Sequence, residues 1–261
     1  MITTDQLDQF NDQGFLVIRN TIPDSTRKAL EAVVDRLQEV DLADKQGDGV
    51  RWDMRNCIRK DPCFLNLLRD PGLLSIPVSI LGWNIKLLTS HIVKIAPNAT
   101  TAEMPILFHQ DGGAITFELA EPLPQLILKM GYCISGDTEH DAGQLKVVPG
   151  SNRLVGPPIM KTETEPYGAI DVVTRPGDLT LLDWRCWHAV SPNKSSVVRR
   201  NLYFGFGPRW LMPMDYESGE GLPNVDPVIA QLFGSKASSL GHYLPSTEDT
   251  PLKALFESQN G

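Results

Sequence analysis

His109 and Asp111 stand two positions apart in FHQDGG, residues 108–113, in a chain with only five histidines. On an extended segment, side chains at i and i+2 project to one face, so this imidazole and carboxylate can reach one ion. The pair alone is a weak signal. With 5 histidines and 20 aspartates, His-x-Asp arises by chance about 0.4 times in such a chain. A third ligand changes its meaning, because two imidazoles and one carboxylate on one face of a metal leave the opposite positions open, as suits non-haem iron. His91, His140, His188 and His242 are the candidates. His140 sits in the polar stretch SGDTEHDAGQ and His242 in a loose tail, whereas His188 follows the β-prone run TLLDWRCW, 77 residues beyond Asp111 (188 − 111). That separation leaves room for several strands, and His188 is the better ligand.

Such a triad needs a rigid frame. From Asn84 onward, β-prone runs alternate with Pro, Gly, Asn and Asp: IKLLTSHIVKI, ILFHQ, AITFEL, QLILKMGYCIS, QLKVVP, AIDVVT, DLTLLDW, WHAV and RNLYFGFG. With no helical spacers between them, they predict an antiparallel sandwich or barrel, and a jelly roll in particular. The first third reads as mainly helical. Thr3 and Thr4 cap a helix through Phe10 that ends at Gly14, and FLVIR follows as a strand. Leu30, Val33, Val34, Leu37 and Val40 then recur at helical spacing after Pro23, Asp24 and Ser25. Residues 41–56 read as a loop, and FLNLL and LLSIPVSIL as short helices, the second disturbed by Pro77. The expected fold class is therefore mainly β with flanking helices. Its expected organisation is a single domain, residues 1–261: a helical N-terminal region over 1–83, a β-barrel core over 84–210, and a lid or packing segment over 211–261.

Charge and composition narrow the partners. The net charge of −8 and pI near 5.1 disfavour a nucleic-acid surface. The start MITTDQLDQF has no signal-peptide pattern and no apolar run approaches spanning length, so a cytoplasmic protein acting on a small molecule is expected, away from membranes. Cys57, Cys63, Cys133 and Cys186 show no CxxC spacing and are read as reduced, packed thiols.

The order HQD, AGQLKVVPGSNR, RPGDLTLLDWRCWHAVSPN and RRNLYFGF, with the opening LDQFNDQGFLVIRNTIP, resembles the phytanoyl-CoA dioxygenase (PhyH-like) family over roughly residues 1–210. The resemblance implies a double-stranded β-helix core, Fe(II) as metal, 2-oxoglutarate and O2 as co-substrates, and oxidation of a substrate C–H bond. It places His109, Asp111 and His188 at the metal, and Arg199, eleven residues after His188, on the distal carboxylate of 2-oxoglutarate. A planar, permanently charged fork suits that grip. Arg200 points to the other face of the same strand and reads as a solvated charge. His91 and Tyr132 fall where relatives line the co-substrate pocket. A core histidine and a core aromatic are their competing readings.

Some features depart from the family pattern. Ala189 and Val190 stand where relatives carry a small residue and a co-substrate-binding serine, leaving Ser191 as a possible substitute, and the PGSH turn is PGSN with Asn152. The retained Asp111 disfavours halogenation, for which relatives replace the carboxylate by a small residue. Gly112 and Gly113 suggest clearance beside the metal, and Trp52, Phe117, Trp184 and Trp187 suggest an apolar wall. The expected substrate is a small, largely apolar metabolite such as a natural-product intermediate. It would be hydroxylated, desaturated, cyclised or epimerised. A fatty acyl-CoA substrate is an alternative that would favour a more basic rim, and a non-catalytic metal-binding jelly roll or a zinc hydrolase are alternatives of other classes.

Overall fold

Odd and even positions separate along the long strands and divide the molecule into a core and a cavity. In β4 (Leu128–Ser135), Leu128, Met130, Tyr132 and Ile134 enter the hydrophobic core while Lys129 and Gly131 line the cavity. In β9 (Arg199–Pro208), Leu202, Phe204 and Phe206 enter the core while Arg199, Asn201 and Tyr203 line the cavity. Period-two alternation produces this once one face is covered by helices. Each fully buried Leu or Phe on that face contributes about 1.5–3 kcal/mol.

The computed structural model describes residues 2–43, 50–99, 104–113, 115–136, 141–215 and 226–257. Besides β4 and β9 it contains β1 (Phe15–Ile18), β2 (Arg51–Arg55), β3 (Ile85–Ile95), β5 (Leu145–Val147), β6 (Ile170–Val172), β7 (Leu179–Asp183) and β8 (His188–Val190). The large sheet runs β1-β7-β4-β9-β3-β2 and the small one β6-β5-β8, with every strand pair antiparallel. Both sheets contribute to the cavity wall. This is the jelly-roll arrangement expected.

The helices back the large sheet. α1 (Thr4–Gln13) starts with a reciprocal cap: Gln6 N–H donates to Thr3 Oγ1 at 3.2 Å and Thr3 N–H to Gln6 Oε1 at 2.9 Å. It ends at Gly14 with φ +77°, against which Asn152 of the PGSN turn packs, donating to Asn11 O at 3.0 Å. α2 (Asp24–Ala43), α3 (Pro62–Leu68) and α4 (Pro71–Leu81) add Leu30, Val34, Phe64, Leu68 and Leu74 to the core. α4 runs on through Pro77. Towards the C-terminus, α6 (Pro227–Leu232) and α7 (Pro251–Glu257) contact each other, and α6 reaches β3. No single helix among the described residues is long and apolar enough to cross a membrane.

Three segments differ from the sequence reading. Within 41–56, α2 continues to Ala43 and Arg51–Arg55 is the edge strand β2. Its charged residues Arg51, Asp53 and Arg55 alternate toward one side and only Trp52 is fully buried, so composition disguised the strand. ILFHQ forms no strand, only a single bridge between His109 and His188. Gly112 and Gly113, with φ of +97° and +53°, end any extension there. AITFEL is represented by a helical turn, α5 (Ile115–Glu118), with Ile115 N–H donating to Gly112 O and Thr116 N–H to Gly113 O. Phe117 is 89% exposed, so it offers no packed face to a strand. His140 lies outside the described residues.

Candidate metal and co-substrate site

Backbone pairing brings the three metal-ligand candidates together. His109 and His188 exchange N–H···O bonds at 2.9 Å in both directions, Asp111 N–H donates to Trp184 O at 3.0 Å, and Gln110 Nε2 donates to Arg185 O at 2.6 Å. The segment 107–112 is thereby laid along 184–188. One ligand atom each from His109, Asp111 and His188 lies within 4.8 Å of the others.

Tautomers follow from the partners. His109 Nδ1 lies 3.0 Å from Leu107 O and His188 Nδ1 lies 2.9 Å from Cys186 O. A carbonyl only accepts, so each Nδ1 carries a proton and Nε2 is the ring nitrogen left to face the site. Burial pushes the His188 ring down to about 4, which keeps it neutral near pH 7. Burial pushes the Asp111 carboxyl up, but the Lys129 ammonium, 2.5 Å from Oδ2, leads the effects that outweigh this and hold it below the usual range. Two imidazoles and one carboxylate, with ring orientation fixed through the second nitrogen, make a donor set that fits Fe(II).

The cavity beside these donors has a volume of about 440 Å³ and includes Arg199, His91 and Tyr203 in its wall. Arg199 is buried, and its Nη1 has no hydrogen-bond partner among the described residues. A buried guanidinium nitrogen left without a partner costs free energy, and an anionic ligand in the cavity would recover it. Arg200 turns the other way, but it is not a solvated charge. Its guanidinium donates to both Asp35 oxygens at 2.8 and 2.9 Å and to Ser135 Oγ at 2.9 Å, pinning β9 to α2.

His91 faces the cavity and is braced from behind. Its Nε2 donates to Asp53 Oδ1 at 2.7 Å, and Arg51 grips the same carboxylate at 2.6 and 3.0 Å. Burial pushes the His91 ring down, partly offset by Asp53. Burial opposes ionisation of Asp53, yet the hydrogen bonds from His91 and Arg51 dominate and hold it below the usual carboxylate range.

Tyr132 does not reach the site. It stacks edge-on against Phe204 at 5.5 Å inside the core, because its neighbours Lys129 and Gly131 hold the cavity parity of β4. Tyr203, directly opposite Gly131, is the aromatic in the wall, and Asn201 Nδ2 donates to its hydroxyl at 3.1 Å. The two-residue period counted from Arg199 signals both residues. Ser191 is turned to Gln144, donating to its carbonyl oxygen at 3.3 Å, and so is not a replacement for the absent serine. Trp52 and Trp184 donate through Nε1 to Asp41 and to Pro124 O, Phe117 is exposed, and the cavity wall includes none of the four aromatics expected there. The space beside Gly112 belongs to Trp184, since a Cβ there would meet its ring at 2.7 Å. Beside Gly113 the space is open.

Residues 10–201 match the family model of phytanoyl-CoA dioxygenase (PhyH). A search of curated proteins finds no significant sequence match. Among solved structures, HygX from Streptomyces hygroscopicus with nickel and 2-oxoglutarate bound is 18% identical, with a TM-score of 0.67, over 84% of this chain and 91% of HygX. The non-heme alpha ketoglutarate dependent carbocyclase SnoK from nogalamycin biosynthesis is 20% identical, with a TM-score of 0.63, over 79% and 84% of the two chains. The epimerase SnoN of the same biosynthesis is 17% identical, with a TM-score of 0.60, over 78% and 82%. At these identities the likeness establishes the fold.

Proposed function

The chain belongs to the phytanoyl-CoA dioxygenase family and is an Fe(II)- and 2-oxoglutarate-dependent dioxygenase, and on that premise we propose that it oxidises a C–H bond of a small metabolite, as in natural-product biosynthesis. In this reading His109, Asp111 and His188 hold the iron, and Arg199 grips the distal carboxylate of 2-oxoglutarate. The observation that carries it is the buried, unpartnered Nη1 of Arg199, a residue that lines the same cavity as the three donors. The whole span 1–261 is read as one oxygenase domain, a reading supported by the contact of α6 with β3.

Held by His109, Asp111 and His188, iron would supply, with O2, the oxidative decarboxylation of 2-oxoglutarate that is coupled to removal of a substrate hydrogen. The chain's own residues set the geometry. Lys129 favours the ionised Asp111 and fixes one carboxylate oxygen. Val93, Ile95, Leu145, Leu182 and Val190 supply apolar wall that limits water beside the reacting groups. The braced His91 and Tyr203 flank the space left for substrate.

Anaerobic titration of the protein with Fe(II) and 2-oxoglutarate tests this directly. A weak visible charge-transfer band is expected, and its absence in well-folded protein overturns the assignment. Succinate release over a metabolite panel then identifies the substrate. Product mass separates hydroxylation, a gain of one oxygen, from desaturation or ring closure, a loss of two hydrogens, and from epimerisation, no change.

A further inference from the structure

We propose that the substrate carries a single carboxylate and that Arg55, at the cavity mouth on β2, selects for it, an inference that rests on the reading of the site just given. Register places Arg55 beside His91, which in turn pairs with Tyr203, so the three form one row across the cavity face of the large sheet. The other cations around the cavity are committed. Arg51 is held by Asp53 and Lys129 by Asp111, while Arg199 is assigned to 2-oxoglutarate.

The Arg55 guanidinium makes no ion pair or hydrogen bond among the described residues, while its backbone pairs in the β2–β3 ladder. The carboxylates near it are also engaged: Asp53 holds Arg51 and His91, and Asp215 Oδ2 accepts N–H groups of Asn56 at 3.2 Å and Ser90 at 2.6 Å. An exposed arginine is ordinarily just solvated, but strand register aims this one at the cavity, and its charge contributes to keeping His91 neutral. Arg55 also lines the smaller adjoining cavity beside Asp111, Gly112 and Gly113, so it borders the open space next to the metal donors. One uncommitted guanidinium matches a planar monoanion, which its fork can grip through two oxygens, better than a phosphate dianion.

The test uses full-length protein saturated with Ni(II) and 2-oxoglutarate, so that Arg199 is occupied. Aliphatic and aromatic monocarboxylic acids, their primary amides and the matched phosphate monoesters are compared by calorimetry. Acids are expected to bind about 10-fold or more tighter than their amides, as for one charge-assisted contact. The gap should collapse in Arg55→Gln and persist in Arg55→Lys. Acids binding no better than amides, a complete lack of binding included, overturns the inference, as does a preference for phosphate esters or an acid preference that survives Arg55→Gln. Failure of 2-oxoglutarate to bind the Ni(II)-loaded protein would instead count against the reading of the whole site, and is scored before any acid is added.

Discussion

Arg199 opens β9 and Arg209 follows its last residue, and both guanidinium groups are almost fully buried, yet their surroundings are opposite. Arg209 Nη1 donates to the carbonyls of Gly241 at 3.1 Å and Asp249 at 2.7 Å, and its Nη2 to that of Ser235. Asp249 in turn accepts the N–H groups of Ala237, Ser238 and Ser246. This end of the strand is a staple that ties the C-terminal segment down through both terminal nitrogens, with Nε left without a partner among the described residues. At the other end, Arg199 Nη1 meets no acceptor among the described residues, and the residue lines a cavity. Burying a cation costs several kcal/mol unless its protons are taken up. The difference sets an arginine that ties down the fold beside one whose terminal nitrogen is left for the proposed co-substrate.

The sharpest break of that comparison is on the cavity side. Asp111→Ala should abolish 2-oxoglutarate turnover, and succinate release at the wild-type rate would show the metal triad to be misassigned. Arg209→Met should lower unfolding free energy by about 3–5 kcal/mol, because three carbonyls lose their donor. Denaturant unfolding measures this, and the surviving folded protein should still bind 2-oxoglutarate. Arg199→Met should do the reverse, weakening 2-oxoglutarate by roughly 10–100-fold, the equivalent of a lost charge-assisted fork of about 1.5–3 kcal/mol, without loss of stability. If Arg199→Met unfolds the protein as readily as Arg209→Met, the contrast between the two ends is void. The smallest effect belongs to Tyr132→Phe: with the ring retained in the core, the 2-oxoglutarate requirement should stay within about twofold, inside the usual spread of mild substitutions. A clear rise would return Tyr132 to the site.

Alternation explains what sequence could and could not reveal. The gathering of His109, Asp111 and His188 beside a cavity that Arg199 lines was legible from spacing and order, and the same parity separates Arg199 from Arg200. Tyr132 was misplaced because motif position alone carries no parity; the pairing of Gly131 with Tyr203 is what assigns the faces of β4. Asn201 and Tyr203 were within reach of the two-residue count from Arg199 but went unread. The partners of Arg200 were out of reach, since Asp35 lies 165 residues earlier in the chain and joins it only through the fold. Strand β2 was hidden by its own charges, which face a cavity rather than mark a solvent loop. FHQDG looked like a piece of a strand, but it is a strap fastened to one neighbouring segment.

That strap has an evolutionary consequence. The backbone hydrogen bonds of His109 and Asp111 run to 184–188, so the proposed metal donors are referenced to that segment and not to the strands bearing Arg55, His91 and Tyr203. Substitutions at Arg55, His91 or Tyr203, unlike those at Lys129, which pairs with Asp111, can therefore change what the cavity admits while leaving the donors aligned. A lineage built this way is free to drift between substrates without rebuilding its metal centre.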